Sequence, residues 1–319
     1  MSANILVTGG AGAIGSSLVN RLSDNPANNV AVLDNLSSGY VANIILRPNV
    51  TFIQGSVESE EDLDHVFREP IHTVFHLAAN FANQNSVDFP QRDLQINGMG
   101  TLRLLLRANR HHVKKFIYTS SSCVYGNRNE PLDEMCKEFS LDTPYGITKL
   151  LGEQYVKFFH VHHNMPTVTL RYFNVYGPNE YPGKYRNVIA ILFFKAMNNE
   201  EIVITGTGEE TRDFNFVDDA VRATILASQC PAAVGNVLNI ASGRETKIID
   251  LVRLIIEISG SKSKVVYGER RAWDSVVRRV ASTQLASNVL GYESSVPLED
   301  GLAQYYQWLQ KQDFVQCKW

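Results

Sequence analysis

The chain has 319 residues, 44% of them hydrophobic, with a formal net charge of -3 and a pI near 6.3. So even a balance gives no electrostatic case for nucleic acid or an anionic membrane surface, and no apolar run approaches the roughly 18 residues of a membrane-spanning helix. The length allows a substantial core, in one large domain or two unequal ones. A first strand is expected by residue 4, leaving no room for a signal peptide. Cys123, Cys136, Cys230 and Cys317 are scattered without metal or disulfide spacing. The expectation is a cytoplasmic protein with free thiols and no metal.

Ile5-Leu6-Val7 reads as the first strand, and Leu18 to Leu22 belongs to the helix that follows. Between them lies Gly9-Gly10-Ala11-Gly12-Ala13-Ile14-Gly15, with Gly9, Gly12 and Gly15 three apart. Such glycines permit a tight turn, close approach of a pyrophosphate to the backbone, and close packing of helix on strand; the helix N-terminus then faces phosphate charge. Alone, the motif also fits an ordinary strand-to-helix turn. A second strand, Val30 to Leu33, ends at Asp34, about 20 residues past the glycines, where a carboxylate accepts from ribose hydroxyls and repels a 2′-phosphate. Together they point to NAD rather than NADP.

Further strands are expected over 50–53, 73–77, 115–120 and 167–172, with helices over 59–67, 94–111 and 145–163 between them. Strands alternating with helices imply an α/β fold with a doubly wound parallel sheet. Its ligand edge would lie at the strand ends near residues 79, 121 and 174. After residue 175 the alternation loosens, with turns at Gly177-Pro178, Pro182-Gly183 and Gly206-Thr207-Gly208 and helices over 188–198 and 248–259. The organisation expected is a dinucleotide-binding domain over 1–175 and a smaller α/β substrate-binding region over 176–319, with chain crossing back between them.

Tyr145 and Lys149 stand at i and i+4, on one side of a helix. A cation beside a phenol favours phenolate, which would suit Tyr145 as a general base toward a hydroxyl. On its own the pair also fits a packed tyrosine and a solvated lysine. The run Ser120 to Gly126 places hydroxyls at the end of a strand, where one can share a substrate proton with the tyrosine. His111 and His112, and His160, His162 and His163, are expected as solvated helix ends near the negative pole of the helix dipole.

These motifs, with His76-Leu77-Ala78-Ala79 and the run from Arg171 to Pro178, resemble the extended short-chain dehydrogenase/reductases, and within them the nucleotide-sugar epimerases and dehydratases. The resemblance covers about residues 4 to 309 and implies a homodimer paired through the helices over 94–111 and 145–163. It implies Ser121 as the active-site hydroxyl, Tyr145 as base and Lys149 on the nicotinamide ribose. The cofactor would be held by Gly9, Gly12, Ala13, Ile14, Gly15, Asp34, Asn35, Ser38, Gly39, Ser56, Val57, Leu77, Ala78, Ala79 and Asn97. A nucleoside diphosphate sugar would meet Ser121, Ser122, Asn174, Asn187, Val188, Arg212, Arg271 and Asp274. The two arginines would take phosphate oxygens with their paired donors, or else form surface ion pairs with Asp213 or Asp274.

Two departures matter. Ser56 stands where the family often has an aspartate toward adenine. Ser122-Cys123 stands where the 4,6-dehydratases carry Asp-Glu, which argues against 4,6-elimination. Cys123 is then either an inert small side chain or an acid/base. The implied reaction is NAD-dependent epimerisation at C4 of a nucleoside diphosphate sugar through a 4-keto sugar. The alternatives are a 3,5-epimerase, dehydratase or 4-dehydrogenase starting with the same oxidation, or a non-catalytic NAD-binding sensor.

Overall fold

The computed structural model describes residues 3–128, 130–136, 139 and 141–313, so Cys317 lies outside the described residues. In chain order the first half forms β1 (Ala3–Thr8), α1 (Ala13–Ser23), β2 (Asn28–Asp34), β3 (Val50–Gln54), α2 (Glu60–Val66), β4 (Thr73–His76), α3 (Asn83–Asp88), α4 (Pro90–Asp93), α5 (Thr101–Arg110), β5 (Lys115–Ser121), α6 (Pro144–His163) and β6 (Thr167–Tyr172). The second half forms β7 (Val175–Tyr176), α7 (Val188–Met197), β8 (Ile202–Thr205), β9 (Thr211–Arg212), β10 (Asn215–Phe216), α8 (Val217–Gln229), β11 (Val237–Ile240), β12 (Thr246–Lys247), α9 (Ile248–Ser259), β13 (Val265–Gly268), α10 (Gln284–Leu290) and α11 (Leu298–Leu309).

Seven strands make one parallel sheet in the order β11-β6-β5-β4-β1-β2-β3. The continuous apolar character of the inner strands follows from this: with helices on both faces, every residue of β6 is buried. Strand order reverses between β1 and β4, which opens a crevice beyond the carboxyl ends of the strands. β4 lies beside β1, β5 beside β4 and β6 beside β5, all parallel, so the glycine turn after β1, Ser121 and the chain after Tyr172 share one edge.

Two features differ from the sequence reading. The sheet has a seventh strand, β11, which returns from the C-terminal half to pair with β6. The helix expected over 94–111 is divided: Leu94–Gly100 is a π-type turn, and the α-helix proper starts at Thr101. Gly98 and Gly100 weaken α-helix there, and the Asn97 side chain is bonded outside its own turn. In the C-terminal half, small strands pair outside the main sheet: β8 with β13, β9 with β12 and β7 with β10.

Candidate active site

The dinucleotide cradle is built at the start of α1. Gly9 has φ +72, and a Cβ there would lie 2.6 Å from the Ala78 nitrogen; a Cβ at Gly15 would lie 2.1 Å from the Gly9 oxygen. Strand, turn and helix can therefore close only without side chains. Gly12 is the N-cap of α1 and supplies no side-chain cap, so the first N–H groups of the helix stay available to an anion. Asp34, at the end of β2, is buried and pins this turn: Ala11 N–H donates to its Oδ2 at 2.9 Å and Leu36 N–H to its Oδ1 at 2.8 Å. Gly39 packs on the same turn, its would-be Cβ 2.6 Å from the Ala11 carbonyl carbon. Ala13 and Ile14 begin α1, and the Asn35 side chain accepts from Ser37 N–H. Ser38 offers its carbonyl to Arg186 from the C-terminal half. The Ser56 hydroxyl is engaged with Glu58, and Val57 is buried against Gly100. Leu77 and Ala78 both donate to Thr8, and Ala79 follows them beyond β4. The free helix end offers donors to a pyrophosphate, and the carboxylate at the end of β2, which closes on the glycine-lined turn, is an acceptor for ribose hydroxyls, so the residues present fit NAD.

Beside this cradle stands the proton-transfer group. Thr143 caps α6 by accepting from Gly146 N–H, Pro144 takes the first helical position, and Asn164 ends the helix in the left-handed conformation. Tyr145 N–H donates to Ser86 Oγ at 3.0 Å, so α3 holds the start of α6. Ser121, at the end of β5, is within hydrogen-bonding reach of the Tyr145 phenol and also accepts from Cys123 N–H at 3.2 Å. Lys149 is buried with its ammonium over the Tyr118 ring, 4.6 Å from the centroid. Burial lowers its pKa to about 8, against the pull of Asp93, Glu153 and Cys123. The expectation that Lys149 lowers the phenol is corrected here. Burial pushes Tyr145 up, Cys123 and Asp93 push the same way, and only the bond from Ser121 opposes them. The ammonium rests on the neighbouring ring instead.

Behind this pair the charge is neutralised in layers. Glu153, one turn beyond Lys149, accepts from Ser120 Oγ and takes a paired bond from Arg171, Nε at 2.9 Å and Nη2 at 2.7 Å. Both partners are buried, and the guanidinium stands 4.6 Å from the Tyr125 ring centroid. His76 bridges Thr8 and Thr101, and burial with the Lys149 charge drops its pKa to about 3, so it is a neutral spacer between β1, β4 and α5.

Across the crevice lies a group of arginines. Arg212, on β9, reaches Asp274 at 3.5 Å, while Asp213 is occupied by Ser242, Gly243 and Ala281. Burial, then the charge of Arg279, lowers Arg212 to about 10; Arg270 acts in the same direction. Arg279 was not singled out from sequence. It is buried, donates toward Cys123 Sγ at 3.6 Å and to the Gly126 carbonyl at 3.2 Å, and keeps an unpartnered Nε. Arg270, also unforeseen, buries an unpartnered Nη2, whereas Arg271 is exposed with its guanidinium 5.7 Å from the Trp273 ring centroid. Buried unpartnered guanidinium donors beside one another fit an anionic ligand. Asn174 donates to the Asp213 carbonyl, and Asn187 caps the entry to α7, donating to Val175 O and, through its N–H, to Glu180. Val188 starts α7, and Ser122 is buried in the short turn after β5. Arg171 opens a run that sequence singled out, but neither its partner Glu153 nor the roles of Asp93 and Arg279 follow from their neighbours in the chain. Only the pairing Lys149–Glu153, one helical turn apart, offered a signal.

A doubly wound sheet with this glycine turn and a Ser-Tyr-Lys set defines an NAD-dependent enzyme of the short-chain dehydrogenase/reductase kind. Residues 5–241 match the NAD dependent epimerase/dehydratase family, and the chain belongs to it. It is 33% identical to a UDP-glucose 4-epimerase of Mycolicibacterium smegmatis over 305 residues, 93% of this chain and 96% of the relative. Its structure is similar to an epimerase of Methanothermobacter thermautotrophicus, at 45% identity and TM-score 0.95, covering 97% of this chain and 93% of that one. It is also similar to the UDP-glucose 4-epimerase of Thermotoga maritima, solved with UDP-glucose, at 39% identity and TM-score 0.91, covering 97% and 99%. Among the described residues no helix is long and apolar enough to cross a membrane.

Proposed function

We propose that this enzyme interconverts the C4 epimers of a nucleoside diphosphate sugar, with residues 1–175 holding NAD and 176–319 the nucleotide sugar. The observation that carries this reading is what surrounds the Ser121–Tyr145–Lys149 group: a half-buried thiol, Cys123, facing the buried Arg279, where elimination at C5–C6 needs a carboxyl acid and base. NAD supplies the reversible two-electron oxidation at C4. Tyr145 takes the 4-hydroxyl proton and later returns it, and Ser121 orients that hydroxyl and relays its proton. Lys149 anchors the cofactor ribose. Arg212, Arg270 and Arg271 grip the diphosphate with forked donors, so the 4-keto sugar can turn about its tether and be reduced on the other face. The similarity to enzymes named for UDP-glucose supports a uridine diphosphate sugar.

The thiol position favours one second reading, in which Cys123, facing Arg279, exchanges a proton at a carbon near the ketone. Incubation with a panel of UDP-, GDP- and dTDP-sugars in deuterated water, with products resolved by NMR, separates the two. C4 epimers without ring deuterium support the first reading. Ring deuterium, or a deoxy or ketone product, refutes it. Leu106, Ile147, Phe158 and Val161 are exposed on α5 and α6, which supports a homodimer through these helices. Light scattering at the mass of one chain would refute the dimer.

A further inference from the structure

The chain from Val277 to Ser282 runs beside the loop after β5. Val277 N–H donates to Asn127 Oδ1 at 3.1 Å, Leu132 N–H to the Val280 carbonyl at 2.8 Å, and Ser282 N–H to the Leu132 carbonyl at 2.8 Å. Two consecutive arginines on this stretch turn to opposite sides. Arg278 faces outward, where Nε and Nη2 each donate at 2.8 Å to one oxygen of Glu245. Arg279 faces inward and is only 6% exposed. Its Nη2 donates to the Gly126 carbonyl at 3.2 Å and its Nη1 to Cys123 Sγ at 3.6 Å, while its buried Nε has no acceptor. Among the described residues it makes no ion pair.

A buried guanidinium without a carboxylate is costly, so an anion from outside the chain would stabilise it. Asp213, Asp274 and Glu134, on stretches packed against this one, are committed elsewhere: Asp213 to Ser242, Gly243 and Ala281 N–H, Asp274 to Arg212, and Glu134 to Asn239 N–H at 2.6 Å. The Cys123 thiol takes Nη1 and leaves Nε open. Cys123 also places Arg279 in the site. Its N–H donates to Ser121 Oγ at 3.2 Å, and its carbonyl oxygen stands 3.0 Å from where a Cβ on Gly146 would lie, next to Tyr145. Arg279 is thus one side chain away from the group that handles the 4-hydroxyl. The diphosphate has Arg212, Arg270 and Arg271, which leaves the open guanidinium to the sugar. The ring carbons beside C4 are C3 and C5, and C5 carries C6, the carbon at which a hexose is oxidised to a carboxylate. We propose that Arg279 is a specificity-determining residue that pairs with the C6 carboxylate of a nucleoside diphosphate hexuronic acid, so that a hexuronate, not a neutral hexose, is the substrate class. This rests on the proposed C4 epimerisation and names its sugar.

The test is calorimetric binding of UDP, UDP-glucose and UDP-glucuronate to the NAD-loaded protein; the two sugars differ only at C6. UDP-glucuronate should bind roughly 10- to 100-fold more tightly than UDP-glucose. Arg279→Gln removes the charge and should bring that ratio close to one, with UDP affinity changed by no more than a few-fold. Arg279→Lys keeps the charge without the fork and should retain part of the ratio. A parent protein that binds UDP-glucose as tightly as UDP-glucuronate overturns the proposal. So does an Arg279→Gln protein whose affinity for UDP falls as far as its affinity for UDP-glucuronate, since Arg279 would then serve the diphosphate. If Arg279→Gln does not fold, the parent ratio and its fate in Arg279→Lys still decide. Products resolved by NMR keep the two readings apart. A strong uronate preference without a C4 epimer refutes the functional reading, and C4 epimerisation without that preference refutes this inference alone. Failure to bind UDP or either sugar overturns both.

Discussion

Gly152, in the middle of α6, is the point at which helix propensity and packing oppose each other. Alanine favours a helix interior over glycine by ~1 kcal/mol, so a solvated site would be stabilised by Gly152→Ala. Here the new Cβ would lie 2.1 Å from Tyr118 Oη and 2.6 Å from its Cζ, and Tyr118 is fully buried, its ring tilted against His76. The ring cannot swing into solvent. Overpacking of this kind costs ~1–3 kcal/mol, and displacing Oη from the Lys149 carbonyl, 3.2 Å away, forfeits ~1 kcal/mol more. Packing wins, and Gly152→Ala should lose ~1–3 kcal/mol, a melting temperature lower by roughly 2–10 °C. Urea unfolding monitored by tryptophan fluorescence reads the loss. Tyr118→Phe removes the atom closest to the new methyl, so the double variant should lose less than the sum of the two single variants. Because the Lys149 ammonium rests on that ring, turnover should fall with stability. A Gly152→Ala protein as stable as the parent, or more stable, would refute the close approach of α6 to β5.

Four further outcomes follow from the same geometry. Tyr145→Phe should lower turnover by ~10²–10⁴ while NAD affinity, measured calorimetrically, stays within a few-fold; full activity would sink the mechanism. Cys123→Ala should cost little if the reaction is C4 epimerisation, and a loss above ~10²-fold in steady-state assays would shift the assignment to the thiol chemistry. Gly15→Ala places a Cβ 2.1 Å from the Gly9 carbonyl oxygen, a backbone atom that no rotamer change can move, so NAD binding should weaken ~100-fold or folding should fail. Undiminished NAD affinity in a calorimeter would contradict the cradle. Burial raises Glu180 from 4.5 to about 7, with Arg186 and Asn187 N–H opposing. The native state therefore binds this proton more tightly than the unfolded chain. The stabilisation, at most ~3 kcal/mol, is complete below pH 4.5 and lost as pH rises through about 7. Glu180→Gln should flatten denaturant stability between pH 5 and 8, and a slope equal to the parent's would show that this carboxyl does not titrate there.

The doubly wound sheet was legible because its signals are local. Apolar runs, the glycine spacing and the acid ending β2 each reflect neighbours in sequence or a turn whose backbone tolerates no side chain. The same holds for Tyr145 and Lys149, which one helical turn brings to one face. β11 was missed because Val237-Leu238-Asn239-Ile240 is four residues long and follows a turn at Gly235, a pattern that does not say which sheet it joins. The division at Leu94–Gly100 depends on Asn97 bonding across to Asn80, a partner outside its own turn.

The residues that tune the chemistry were of this second, non-local kind. Nothing in the sequence around Arg279 says that it lies against Cys123, 156 residues away, or that Arg270, and not the exposed Arg271, buries a guanidinium nitrogen. A loop's register on a distant strand decides such contacts. Burial raises the Tyr145 phenol and lowers the Lys149 ammonium, an effect of packing that their spacing on one helix does not carry. Backbone scaffold and cofactor class were readable from neighbouring residues, because glycines and strand ends act on adjacent chain. The electrostatics of the site were not, because burial and the placement of charges belong to the packed chain as a whole.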